Sequence, residues 1–124
     1  IAVPPGTVGT ASLTVAPEHL ANRLKDVILP PVLATPVMIM LMENAALNAV
    51  KPYMKSGETP VGTRIDVRHL AATPVGRTVT AQATVTAVEG RRIAFAVEAH
   101  DGDRLIGSGT HERMAVRLDK LPEE

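Results

Sequence analysis

The 124-residue chain contains no cysteine, no tryptophan, one tyrosine (Tyr53) and one phenylalanine (Phe95). Without cysteine there is no disulfide framework and no thiolate metal site, which suits a reducing cytoplasm. Thirteen Lys and Arg are matched by thirteen Asp and Glu, for a formal net charge of zero. A nucleic-acid binder would show a basic excess and aromatics for base stacking, so nucleic acid is not an expected partner. A long hydrophobic span is also missing. The most apolar run, residues 36–50, falls short of the roughly 20 residues that cross a bilayer, and the opening IAVPPGTVGTA lacks the basic and apolar regions of a secretion signal. The expected setting is cytoplasmic, with no membrane partner. The histidines His19, His69, His100 and His111 make no HxxxH or HExxH pair, so no metal site is expected.

Apolar residues make up 45% of the chain, enough for a core of its own, and the length fits one domain over residues 1–124. Residues 7–15 (TVGTASLTV) alternate loosely and read as a first strand, ended by Pro17. Residues 18–23 suggest a short helical turn, and Leu29-Pro30-Pro31 forces an extended approach to the main helix. Thr35-Pro36 then gives the start of that helix, with Thr35 as N-cap and proline at the first helical position. The helix is predicted to run to Val50 and stop at Lys51-Pro52. Beyond it the period changes to two. Thr63, Ile65, Val67 and His69 fall on one face of a strand, the face predicted to meet the helix. Residues 73–76 (TPVG) form a turn. Strands are predicted at 77–88, 91–100 and 104–118, joined by hairpins at Glu89-Gly90 and Asp101-Gly102. The expected fold is α+β: an antiparallel sheet wrapped around one long central helix, the hotdog arrangement.

Three polar residues fall near the expected seam between helix and sheet. Glu43 is the only charged residue between Asp26 and Lys51, inside a helix apolar nearly all round, where an unpaired carboxylate is costly. His69 ends the inward face of its strand. Thr35 sits at the helix start, where the dipole and free N–H groups favour negative charge. Singly, each has an ordinary structural reading: a routine cap, a half-exposed histidine, an acid reaching solvent or an arginine. Together they supply what thioester hydrolysis needs, a nucleophile or base, a proton carrier and donors for the oxyanion. Gly107-Ser108-Gly109 lies in a strand rather than at a helix start, so it is no phosphate loop, and it is expected to permit a bulge or a close backbone approach. Ser108 lacks the context of a nucleophile elbow. Arg91-Arg92 is expected to be a solvated turn. Arg113, beside His111 and Glu112, is placed to pair a buried acid or an anionic cofactor tail.

The segments VLAT (32–35), LME (41–43), Gly62-Thr63, His69, AATP (71–74), VEGRR (88–92), AHDG (99–102) and IGSGTHER (106–113) together resemble the fluoroacetyl-CoA thioesterase family of hotdog proteins. The similarity runs from about Val32 to Leu118 in order and with similar spacing, and VEGRR and IGSGTHER carry most of its specificity. The resemblance implies a homodimeric acyl-CoA thioester hydrolase that uses no metal or other cofactor, with coenzyme A entering as part of the substrate. A higher oligomer is compatible with it. It also implies a catalytic Thr, Glu and His, which fall on Thr35, Glu43 and His69. A glycine that helps position the thioester falls on Gly62, and a last-strand arginine falls on Arg113.

One departure bears on the substrate. The resemblance to the fluoroacetyl-specific pattern implies an aromatic gate shortly before the VLAT-like segment, where this chain has Leu29, and an aromatic after the helix glutamate, where it has Asn44. A short- or medium-chain acyl-CoA is therefore the expected substrate, rather than fluoroacetyl-CoA. Two rivals stand beside hydrolysis: a hotdog acyl-CoA hydratase or dehydratase, and a non-catalytic acyl-CoA-binding module.

Overall fold

Alanines and valines that alternate with threonines build the centre of the sheet, because small inward side chains let a helix lie close against it. In a computed structural model, residues 1–122 are described. Five strands form one antiparallel sheet: β1 (Val8–Thr14), β2 (Glu58–His69), β3 (Thr78–Glu89), β4 (Arg92–Asp101) and β5 (Arg104–Arg117). Their order is β1-β3-β4-β5-β2, so β1 and β2 are the edges. Between β1 and β2 the chain forms a short helix, α1 (Ala21–Leu24), and the long helix α2 (Thr35–Val50). The sheet curls around α2, the predicted hotdog arrangement.

Val79, Ala81, Ala83 and Val85 of β3 and Ile93, Phe95, Val97 and Ala99 of β4 are buried on the inner face. They meet Met38, Leu41, Met42, Ala45, Ala46 and Ala49 of α2, which recur at three- and four-residue intervals along one face of the helix. Gly9 of β1 sits so close to the backbone of Ala45 and Ala49 that a Cβ there would overlap both. The opposite side of α2 is more open than its composition predicts. Met40 is exposed and Ile39, Glu43 and Leu47 are half-buried.

The bounds of β1, β3, β4 and β5 fall within a residue of expectation, but β2 starts at Glu58, well before Thr63, the first residue that the alternation picks out. The turns themselves sit at Gly90-Arg91 and Gly102-Asp103, one residue later than predicted. Gly90 and Gly102 each have φ of +60°, the position where a tight two-residue hairpin takes glycine. Two local expectations are corrected. Thr35 is not the N-cap of α2. Ala34 holds that position in extended geometry, Thr35 is the first helical residue, and no side chain caps the helix.

The second correction concerns β2. A bulge between Gly62 and Arg64 breaks the simple alternation. An extra residue reverses which side chains face inward, so Gly62 shares a face with Ile65, Val67 and His69, and Thr63 is the unpaired residue of the bulge, its hydroxyl donating to Glu112 O at 3.2 Å. That face is only partly covered: Ile65 is exposed, and Val67 and His69 are half-buried. Gly107 and Gly109 behave as expected for close approach. A Cβ on Gly107 would meet the Met38 thioether, and one on Gly109 would run into the β2 backbone at Asp66 and Val67.

Candidate active site

The start of α2 and the end of β2 meet at one point. Thr35 Oγ1 lies 2.8 Å from His69 Nδ1, a hydrogen bond between a hydroxyl and an imidazole that is made possible because Thr35 is not used as a cap. With Nδ1 as the acceptor for the Thr35 hydroxyl, Nε2 carries the ring hydrogen, buried and with no partner among the described residues. Burial pushes the His69 pKa below its ordinary value, opposed by the backbone of Ala71, so the neutral base form is favoured.

Both residues line a cleft of about 650 Å³. Its walls are largely apolar, from Leu29, Pro30, Val32, Leu33 and Ala71, and Lys25 is also among its lining residues. At the helix start the Val37 and Met38 amides both donate to Ala34 O, and Pro36 has no N–H to give. The Thr35 amide is the first-turn N–H without an acceptor among the described residues. The expected row of free donors is thus reduced to one.

A second cluster lies further along the same elements. The point where a Cβ on Gly62 would stand is 3.4 Å from Glu43 Oε2, 3.5 Å from His111 Cε1 and 3.7 Å from Arg113 Nη1. Arg113 Nε donates to Pro60 O at 2.8 Å, and its Nη1 is 3.1 Å from His111 Nε2. Among the described residues Glu43 has no ion pair within 4.0 Å, but it faces Arg113 and His111 electrostatically. Burial lowers the Arg113 pKa and Glu43 opposes that shift. The bulge at Thr63 creates this group, since unbroken alternation would turn Gly62 away from it.

Of the five residues singled out in the sequence, Thr35 and His69 form one pair, and Glu43, Gly62 and Arg113 form another group. The two are not brought together within one chain: Glu43 is a little over two turns along α2 from Thr35, about 12 Å. Sequence reasoning passed over His111 except as a histidine without a metal partner. Its signal was positional, an inward-facing residue two places before Arg113 on the same strand face. Arg91 and Arg92 are surface ion-pair residues. Arg91 reaches Glu58 at 3.3 Å and Arg92 reaches Glu112 at 3.8 Å. Among the described residues no three His, Asp or Glu side chains are gathered so as to hold a metal ion.

Comparison with known proteins identifies the family. Residues 15–119 match a family model described as FlK, fluoroacetyl-CoA-specific thioesterase. A fluoroacetyl-CoA thioesterase from Streptantibioticus cattleyicolor is 53% identical over 92 residues. That stretch makes up 74% of this chain and 66% of the relative, just under two thirds of its length. A solved structure of the fluoroacetyl-CoA thioesterase FlK is 42% identical, with a TM-score of 0.90 over 97% of this chain and 93% of that one. A variant of that enzyme solved with fluoroacetate and CoA is 43% identical, with a TM-score of 0.88 over 94% and 98% of the two chains. A thioesterase superfamily member from Thermus thermophilus is 30% identical, with a TM-score of 0.88 over 95% and 87%.

Proposed function

The chain belongs to the fluoroacetyl-CoA-specific thioesterase family, and from that premise we propose that it hydrolyses a short- or medium-chain acyl-CoA to the free acid and CoA. The observation that carries this reading is the 2.8 Å contact between Thr35 Oγ1 and His69 Nδ1 at the mouth of an apolar cleft. A hydroxyl bonded to a neutral imidazole is an activated nucleophile. In the proposed reaction His69 Nδ1 takes the Thr35 proton as Oγ1 attacks the thioester carbonyl. The oxyanion is met by the Thr35 amide at the positive end of α2. The C–S bond breaks, His69 returns the proton to the CoA thiolate, and water then releases the acid from Thr35.

Glu43 is assigned the water step, as the base or the group that orients it. Because Glu43 lies about 12 Å from Thr35 along its own helix, the proposal gives that task to Glu43 of the partner subunit. Two features favour such a homodimer. β2 is an uncovered edge strand, ready to pair with a second copy, and Ile65 and Met40 expose apolar surface near it. Antiparallel pairing of two β2 strands centred near Ile65 and Asp66 would bring His69 opposite the partner subunit's Gly62.

Leu29 on the cleft wall suits an aliphatic acyl chain, and an aliphatic wall gives no aromatic face on which a fluoroacetyl group would be sensed. The reading calls for no metal and no resident cofactor. Its place is the cytoplasm, where a cysteine-free chain and an acyl-CoA substrate are both at home, and no helix among the described residues is long and apolar enough to cross a membrane.

The test is thiol release from acyl-CoAs of two to ten carbons, with fluoroacetyl-CoA included. Turnover should be seen on at least one aliphatic thioester and be lost in His69→Ala. No turnover on any thioester, or full activity in the variant, would overturn the assignment. Retained CoA binding without turnover would point to a binding module instead.

A further inference from the structure

His111 is 1% exposed, and its role is absent from the reaction just described. Its ring stacks on Phe95 of β4, with centroids 5.5 Å apart. Nδ1 lies 2.7 Å from Arg64 O of β2. A carbonyl only accepts, so Nδ1 carries the hydrogen and Nε2 is left as an acceptor. Arg113 Nη1 donates to that Nε2 at 3.1 Å, and Arg113 Nε donates to Pro60 O at 2.8 Å. The guanidinium is therefore anchored at two points, and Nη1 faces the space beside Gly62 that Glu43 Oε2 also faces.

We propose that His111 is a positioning residue: as a neutral imidazole it holds Arg113 toward the space beside Gly62 that Glu43 also faces, and so sets the orientation of the carboxylate that handles water. The inference rests on the hydrolase reading above.

Several features make this more than core packing. A buried polar group needs its partners, and here one tautomer satisfies both ring nitrogens at once. Arg64, whose carbonyl fixes that tautomer, is the residue just after the bulge, so the same backbone irregularity turns Gly62 inward and orients His111. The charges that face the ring come from three elements: Arg113 and Glu112 on β5, Glu43 on α2, and the Arg64 carbonyl dipole on β2. Phe95 covers it from β4 without charge. Burial and Arg113 push the His111 pKa down, while the Arg64 carbonyl, Glu43 and Glu112 oppose them. A proton on Nε2 would set donor against donor and cation against cation, removing one of the two contacts that anchor Arg113.

The experiment separates the two ring nitrogens. His111→Gln can present an acceptor near the Nε2 position, and His111→Asn can only replace the contact at Nδ1. The proposal expects Asn to lower kcat by about 10- to 100-fold with KM little changed, the scale of a misplaced group near the chemistry, and Gln to recover most of the rate. In an Arg113→Ala background, His111→Asn should cost nothing further, because residues acting through one another are not additive. Equal losses for Asn and Gln, or additive losses with Arg113→Ala, would overturn the role of His111 while leaving the hydrolase reading standing. An unmodified protein that releases no thiol from any acyl-CoA would overturn the hydrolase reading, and this role with it.

Discussion

Thr35 and His69 are 34 residues apart in the chain and share a 2.8 Å hydrogen bond between Oγ1 and Nδ1. The helix start and the strand end that bring them together leave the remaining polar groups, Glu43, Gly62 and Arg113, at a second point of the same seam. The first pair has the geometry of a nucleophile and its base. Thr35→Ala should therefore lower kcat by about 10²- to 10⁴-fold, and His69→Ala by a similar factor. Thr35→Ser, which keeps the hydroxyl, should retain a substantial part of the rate. Thiol-release kinetics read all three, and an unchanged kcat in Thr35→Ala would remove threonine from the chemistry.

The two buried histidines make both activity and stability depend on pH. Burial lowers the pKa of both His69 and His111 from the ordinary 6.5. A base with a lowered pKa keeps its neutral form at more acid pH, so the acid limb of kcat/KM, which reports the free enzyme, should lie below 6.5. The effect on stability has a definite sign. Below 6.5 the unfolded chain binds protons that the folded chain resists, so stability is full above that pH and falls as the pH drops through it. Thermal unfolding between pH 8 and 5 should show Tm declining below about 6.5. His111→Gln should flatten part of that decline, and an unchanged slope would mean that His111 titrates alike in both states.

Three glycines on one seam should respond differently to alanine. At Gly62 a Cβ would stand at 3.4 to 3.7 Å from Glu43, His111 and Arg113, ordinary contact, so Gly62→Ala should fold with a near-normal Tm and lose activity by filling the space beside the carboxylate. At Gly107 and Gly109 the Cβ has no room. Those substitutions should destabilise by about 1–3 kcal/mol through overpacking, with Gly109 the worse because it meets backbone rather than the flexible Met38 side chain. Denaturant unfolding beside kinetics distinguishes the two classes, and a large Tm loss in Gly62→Ala would contradict the assignment of Gly62 to the site.

The edge strand gives a prediction about association. Ile65 on β2 is exposed, and in the proposed dimer it lies at the centre of the strand pair. Ile65→Lys in two copies sets like charges close together, which should shift the protein toward monomer and lower activity in parallel. Light scattering after size exclusion measures the first and thiol release the second. A fully active monomer would show that one chain suffices.

Much of this was legible in the sequence. Period-two alternation in β3 and β4 and the apolar run of α2 are strong local signals, and the two hairpin glycines sit where tight turns require positive φ. What eluded sequence reasoning depended on features without a local signature. The Gly62/Arg64 bulge is a one-residue irregularity whose only consequence is which face a side chain occupies, and alternation alone puts Gly62 on the wrong one. Thr35 has a good capping side chain, yet tertiary contact with His69 takes its hydroxyl and Ala34 becomes the cap. His111 resembles an ordinary core histidine until the acceptor on one nitrogen and the donor on the other are both known. Glu43 is half-buried rather than enclosed, because the β2 face that it meets near Gly62 is itself only partly covered within the chain.

The central claim is that Thr35 and His69 of one protomer work with the Glu43, Gly62 and Arg113 group of its partner. Its most direct test is complementation between Thr35→Ala and Glu43→Gln, co-expressed with different tags and also purified singly. Each variant alone should be nearly inactive. In a mixed dimer one of the two sites would be intact, so a randomly paired population should recover about a quarter of the unmodified rate per chain. Mixed dimers that form but stay as inactive as the single variants would contradict a site shared between protomers.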